Sequence, residues 1–134
     1  MATRTLTGGC HCGRVRFEVD LDLSRGSGRC NCSICSKWRV WGAMVKPEAF
    51  RLLAGADDLA DYQHGPRVVH FRFCRHCGVH VCLEGDVPEL GGAYVSVGLN
   101  CLDVEPAELL AGPISYFDGR NNAWWTPPAE TRHL

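Results

Sequence analysis

No run of apolar residues in this sequence is long enough to cross a bilayer. The longest uncharged run of the C-terminal half, Leu90 to Leu102, is broken by Gly91, Gly92, Gly98 and Asn100, and it falls short of the roughly 20 residues that a spanning helix needs. The opening stretch MATRTLTGG lacks the apolar segment of a secretory signal. The expectation is a soluble, cytoplasmic protein with no membrane partner. Charge of either sign is also lacking in excess: 14 Lys and Arg face 15 Asp and Glu, a formal net charge of −1. A dedicated nucleic-acid binder rests on a basic surface, so that class is not expected. The sequence shows no internal repeat, heptad pattern or low-complexity tract. The phosphate-cradling patterns GxGxxG and GxxxxGK are missing, and no serine, histidine and acid set has a motif around it.

A chain of 134 residues with 46% hydrophobic and 22% charged residues has the composition of a globular protein and the length of one domain. A single domain over residues 1–134, with its core about 6–125, is the expectation. Fifteen glycines and seven prolines punctuate the chain at short intervals, which favours many short strands. Val15, Phe17 and Val19 alternate with charged residues, the period of a half-buried strand. Trp38 to Val45 reads as a second strand. Phe50 to Leu53, the segment around Tyr62, Val69 to Phe73, Val79 to Leu83, Ala93 to Val97 and Ile114 to Phe117 follow. Only Pro47–Phe50 and Pro106–Leu110 offer single helical turns, and Pro127-Pro128 marks an extended tail. The fold class is all-β, a sandwich or irregular open barrel.

Against these absences, cysteine is abundant: nine in 134 residues. The number is odd, and seven lie in tight clusters, Cys10-His11-Cys12, Cys30-Asn31-Cys32-Ser33-Ile34-Cys35 and Cys74-Arg75-His76-Cys77. In a cytosolic chain such clusters point to metal. On an extended strand residues i and i+2 share a face, so C-x-C presents two sulfurs side by side. The C-x-x-C followed by Gly78 suits a tight turn. Cys10, Cys12, Cys74 and Cys77 then make a complete four-thiolate set for Zn²⁺, closed and therefore structural. Disulfides are the competing reading, although cysteines two apart on a strand are badly placed to pair with each other. The middle group offers three ligands, Cys30, Cys32 and Cys35, the count that leaves zinc a fourth position for water or substrate. An exogenous thiol bound there would be held as its nucleophilic thiolate. The alternative is a second structural site completed by a histidine, Cys82 or Cys101. Cys82 and Cys101 read as buried small hydrophobes, and His11 would face away from the metal.

The charge is uneven along the chain. Residues 1–75 carry 12 basic and 7 acidic groups, and residues 76–134 carry 2 and 8. Arg14, Arg29, Lys37, Arg39, Arg72 and Arg75 lie within a few residues of clustered cysteines, as compensation for thiolates or simply as a solvated basic face.

The segments GGCHCGRVRFEV, CNCSICSK, FCRHCGVHV, VSVGLNCLD and YFDGRNNAWW together resemble the glutathione-dependent formaldehyde-activating (GFA) family, also called the centromere protein V/GFA domain, over about residues 6 to 125. The resemblance implies a β-tent (Mss-four-like) fold of antiparallel sheets with two zinc ions. Cys10, Cys12, Cys74 and Cys77 would hold the structural zinc, and Cys30, Cys32 and Cys35 the catalytic one. It further implies a carbon–sulfur lyase that condenses formaldehyde with glutathione to S-hydroxymethylglutathione, the small thiol adding as a thiolate to the aldehyde carbon. No glutathione-binding motif is evident. Glutathione carries two carboxylates and an ammonium, so bidentate arginines are expected; Arg39, Arg67 and Arg120, with Asn121, Asn122 and Trp124, are candidates by composition. Trp38 and Trp41 are read as pocket or as aromatic core. The competing function is a non-catalytic zinc-stabilised module that binds a macromolecule through an aromatic surface, since fold alone does not fix function.

Overall fold

Alternating apolar residues build two sheets in the computed structural model, which describes residues 2–134. In chain order the strands are β1 (Arg4–Gly9), β2 (Arg16–Leu21), β3 (Ser27–Cys30), β4 (Trp41–Val45), β5 (Phe50–Ala54), β6 (Leu59–Tyr62), β7 (His70–Cys74), β8 (His80–Val87), β9 (Gly92–Gly98) and β10 (Ile114–Phe117). Two short helices join them, α1 (Ser33–Trp38) and α2 (Pro106–Leu109). The first sheet has the order β1-β2-β5 and the second β10-β3-β4-β9-β8-β7-β6. The expected all-β class is the one observed. Every pair in the two sheets is antiparallel except β10–β3, which runs parallel.

One core lies between the sheets. Leu6, Val15, Phe17 and Val19 from the small sheet side meet Ala43, Val81, Val95 and Val97 from the large one. Phe17, Val19, Val81 and Val97 are fully buried. Because strand residues alternate faces, the row opposite the core is fixed by register. Phe71 pairs with Leu83, Leu83 with Ser96 and Ser96 with Met44, so these four share the outer face of the large sheet.

The reading of Trp38 to Val45 as one strand is corrected. Residues 33–38 form α1, Arg39 adopts the left-handed conformation (φ 51°), and the strand begins only at Trp41. Six residues are too few to show a helical period. Strands β1 and β3 were not anticipated either, because RTLTGG and SGRC carry glycine and little apolar alternation. The two expected helical turns are present, as α2 and as a 3-10 turn over Pro47–Ala49. The residues after Trp125 form no strand, but the tail is not loose: Leu134 is buried and its carbonyl accepts a hydrogen bond from Arg39 at 3.2 Å. Among the described residues no helix is long and apolar enough to cross a membrane.

Candidate functional site

The seven clustered cysteines gather into two groups, each with all its sulfurs within 4.8 Å of one another, so that each could hold a metal ion. The first unites Cys10, Cys12, Cys74 and Cys77, and the second Cys30, Cys32 and Cys35. All nine cysteines are free thiols, so disulfide pairing is not the arrangement adopted.

The first group is built by two matching turns rather than by a strand. Cys10 follows the end of β1, and its N–H donates to the Val15 carbonyl at 3.1 Å; Cys74 ends β7, and its N–H donates to the Val79 carbonyl at 3.0 Å. Each turn carries a glycine directly after its second cysteine, Gly13 (φ 85°) and Gly78 (φ 77°), where the positive φ would strain a residue bearing Cβ. The C-x-C pair therefore owes its convergence to a turn, a correction to the strand argument. Cys10 and Cys12 sulfurs lie 3.6 Å apart, and Cys12 and Cys74 sulfurs 3.7 Å. The edge of a zinc tetrathiolate with Zn–S near 2.3 Å is about 3.8 Å, so the donors are spaced as that ion requires. Backbone N–H groups of Val15 and His76 point at the Cys10 and Cys74 sulfurs. Hydrogen bonds from the backbone of Val79, and then of Cys12, hold the Cys77 thiol down at about 6. The Arg14 backbone N–H, and then its side chain, hold the Cys12 thiol below the usual thiol range. His11 is exposed, and His76 is turned to Asp58 at 2.6 Å.

The second group is local. Cys30 closes β3, Cys32 caps α1, and Cys35 lies buried inside that helix. Hydrogen bonds from Cys30 and then Cys35 hold the Cys32 thiol low, at about 2, while the same crowding by Cys30 and Cys32 pushes Cys35 up. The trio thus yields its first proton readily and resists giving up more. A divalent cation relieves that like-charge conflict, and three soft sulfurs suit zinc. Cys82 and Cys101 are not brought to the trio. Both sit in the core, and burial pushes their thiols up to about 12 and about 11. Burial likewise lowers His80 to about 4; its buried Nε2 has no hydrogen-bond partner among the described residues.

What separates the two groups is the cavity. Cys30, Cys32 and Cys35 line a cavity of about 920 Å³, and no member of the first group does. Met44, Leu83, Ser96 and Phe71, the outer row of the large sheet, form part of its wall. Of the residues proposed for glutathione, Trp124 alone is in this wall. Arg39 is spent on the Leu134 carbonyl, and Arg120 meets the site through its backbone. Trp38 packs with Phe73 and His80 at 5.5 and 5.0 Å, and Trp41 lies against the core, so both tryptophans are aromatic packing.

Sequence reasoning missed the clamp that shapes this site. Asn31, buried between two cysteines of the trio, donates to Asp118 Oδ1 at 2.9 Å and accepts from the Arg120 N–H at 2.9 Å. The Asp118–Asn121 turn is thereby pressed onto the trio, and a Cβ on Gly119 would stand 2.7 Å from both the Cys30 sulfur and the Trp124 ring. The available signal was a polar residue inside a ligand motif and a DGRNN turn motif more than eighty residues downstream.

Residues 5–115 match the family model for glutathione-dependent formaldehyde-activating enzyme. A Rhodobacter sphaeroides protein of known crystal structure is 30% identical, with a TM-score of 0.69 over 83% of this chain and 99% of its own. The match spans both cysteine groups and most of the chain, and the protein belongs to the glutathione-dependent formaldehyde-activating family.

Proposed function

We propose that the chain is a single GFA-type zinc-binding domain, core about 6–125, that forms or cleaves a thiol–aldehyde adduct, a carbon–sulfur lyase reaction of the S-hydroxymethylglutathione type. Cys10, Cys12, Cys74 and Cys77 would hold a structural zinc, and Cys30, Cys32 and Cys35 a second, catalytic one. The observation that carries the reading is that the trio lines the cavity while the quartet does not. Three protein ligands facing a cavity leave room for a substrate atom, whereas four exclude it. Cytoplasmic location and a small thiol such as glutathione as substrate belong to the same reading.

Zinc at the trio would lower the proton affinity of an incoming thiol at neutral pH and polarise a carbonyl. The chain itself does the rest. Asn31 and the Asp118–Asn121 turn fix Cys30, and Phe117 and Trp124 form the wall beside it. Such apolar walls keep water from the reacting sulfur and hold thiol and aldehyde together, which converts an encounter into a near-unimolecular addition. The balance is simple: a C–S bond forms, the carbonyl π pair becomes an O–H bond, and the thiol proton ends on that oxygen.

The test is metal content together with NMR exchange of S-hydroxymethyl adducts with and without the protein. Two zinc ions per chain and accelerated exchange are expected, with Cys32→Ser reduced to one ion and the buffer rate. Two ions with no acceleration for any thiol would favour the non-catalytic module.

A further inference from the structure

The cavity beside the trio is apolar where the cysteines open onto it. Ile34 and Val40 adjoin Cys35, Phe117 and Trp124 adjoin Cys30, and Leu83 and Phe71 belong to the same lining. Three of its large apolar side chains stand in water, Met44 at 50%, Val68 at 63% and Trp124 at 45% exposure. A patch of this kind is covered when its ligand binds. At about 920 Å³ the cavity is far larger than formaldehyde and a simple thiol need.

Several charged members of the wall already have partners within the protein. Asp20 is held by Arg51 at 2.8 Å, the Asp22 carboxylate by Ser24, and Lys46 by the Gly91 carbonyl at 3.1 Å. Arg29 faces away from Cys30 by strand alternation, its guanidinium 4.7 Å over the ring of Trp41, which packs on the core. Arg25, Lys46 and Asp22 keep their charge, since neither a carbonyl nor a hydroxyl neutralises a charged partner, but uncharged side chains stand beside the trio: Ile34 next to Cys35, Val40 bonded through its N–H to the Cys35 carbonyl, and Phe117 paired with Cys30. Burying unpaired charge against Leu83, Phe71 and Ile34 is strongly unfavourable.

We infer that the adduct handled at this site carries a bulky apolar substituent on its thiol, aromatic or of similar size, in preference to a charged peptide. The inference rests on reading the trio as the thiol-binding position. The probes are phenylmethanethiol and glutathione, titrated into the zinc-loaded full chain and followed by tryptophan fluorescence, with adduct exchange measured by NMR for both. Phenylmethanethiol is expected to bind at least about tenfold more tightly, the order a hydrophobic pocket achieves. Met44→Glu, at an exposed rim position that leaves folding undisturbed, should cut that preference several-fold, and Leu83→Gln should do so from inside the wall. Equal or tighter binding of glutathione overturns the inference, as does a preference unchanged in both variants. Preferential binding of phenylmethanethiol without accelerated exchange of either adduct keeps the inference and removes the lyase reading. Faster exchange of the glutathione adduct alone does the reverse.

Discussion

Replacing Cys12 by serine should unfasten the two sheets from each other, whereas Cys32→Ser should cost far less. Cys10 and Cys12 follow β1 of the small sheet, and Cys74 ends β7 of the large one with Cys77 in the turn after it, so the first metal group joins elements 62 residues apart in sequence. The second group spans only residues 30–35. Treated as a cross-link of the unfolded chain, closure of the long loop is worth about 4 kcal/mol and of the short one about 2 kcal/mol. A difference of about 2 kcal/mol corresponds to roughly 8 °C in Tm at this chain length. Coordination itself adds to the first figure, because metal binding there is part of folding. Cys12 is exposed, so the serine opens no cavity and the loss reports the clamp. The assay is scanning calorimetry of both variants beside elemental zinc analysis. Each variant should lose one ion, and Cys12→Ser should melt at least 8 °C below Cys32→Ser. Equal melting temperatures would refute the division into a structural and a functional site.

Three further outcomes follow from the site and its surroundings. Gly119→Ala puts a methyl group 2.7 Å from the Cys30 sulfur; overpacking of about 1–3 kcal/mol should weaken the second zinc at least about fivefold in a chelator competition, with the first zinc unaffected. Asn31→Ala strips partners from Asp118 and the Arg120 N–H and should cost about 1–3 kcal/mol in urea unfolding; a loss under 0.5 kcal/mol would show, as a rough threshold, that the clamp is idle. His80 is half-buried with its Nε2 shielded from water, and burial lowers its pKa from 6.5 to about 4. Between those values the unfolded chain takes up a proton that the folded one refuses, so stability falls as pH drops from 6.5 to 4 and is untouched by this group above 6.5. The full effect is up to about 3 kcal/mol. His80→Phe should flatten that part of the stability–pH curve relative to the natural chain, and parallel curves would refute it.

Much of this was legible in the chain. The strands around Phe17 and Phe71 announced themselves by alternation, and those around Val81, Val95 and Tyr116 as short apolar segments between glycines and prolines. The division of the cysteines into four and three was readable from spacing, since pairs one or two residues apart are already neighbours whatever the fold. The short helix after Cys32 was not, because its six residues follow packing rather than any period of their own.

Local sequence therefore determined which atoms lie close together along the backbone: the ligand pairs, the glycines that turn them, the apolar faces. Only the tertiary structure decided which pairs meet across the chain, that Asn31 would bind a turn reached through β10, and that the trio would open on a cavity while the quartet would not. The physical reason is strand order. Met44, Ser96, Leu83 and Phe71 come from four strands and become one wall only when β4, β9, β8 and β7 align in register, and no spacing along the chain encodes that alignment.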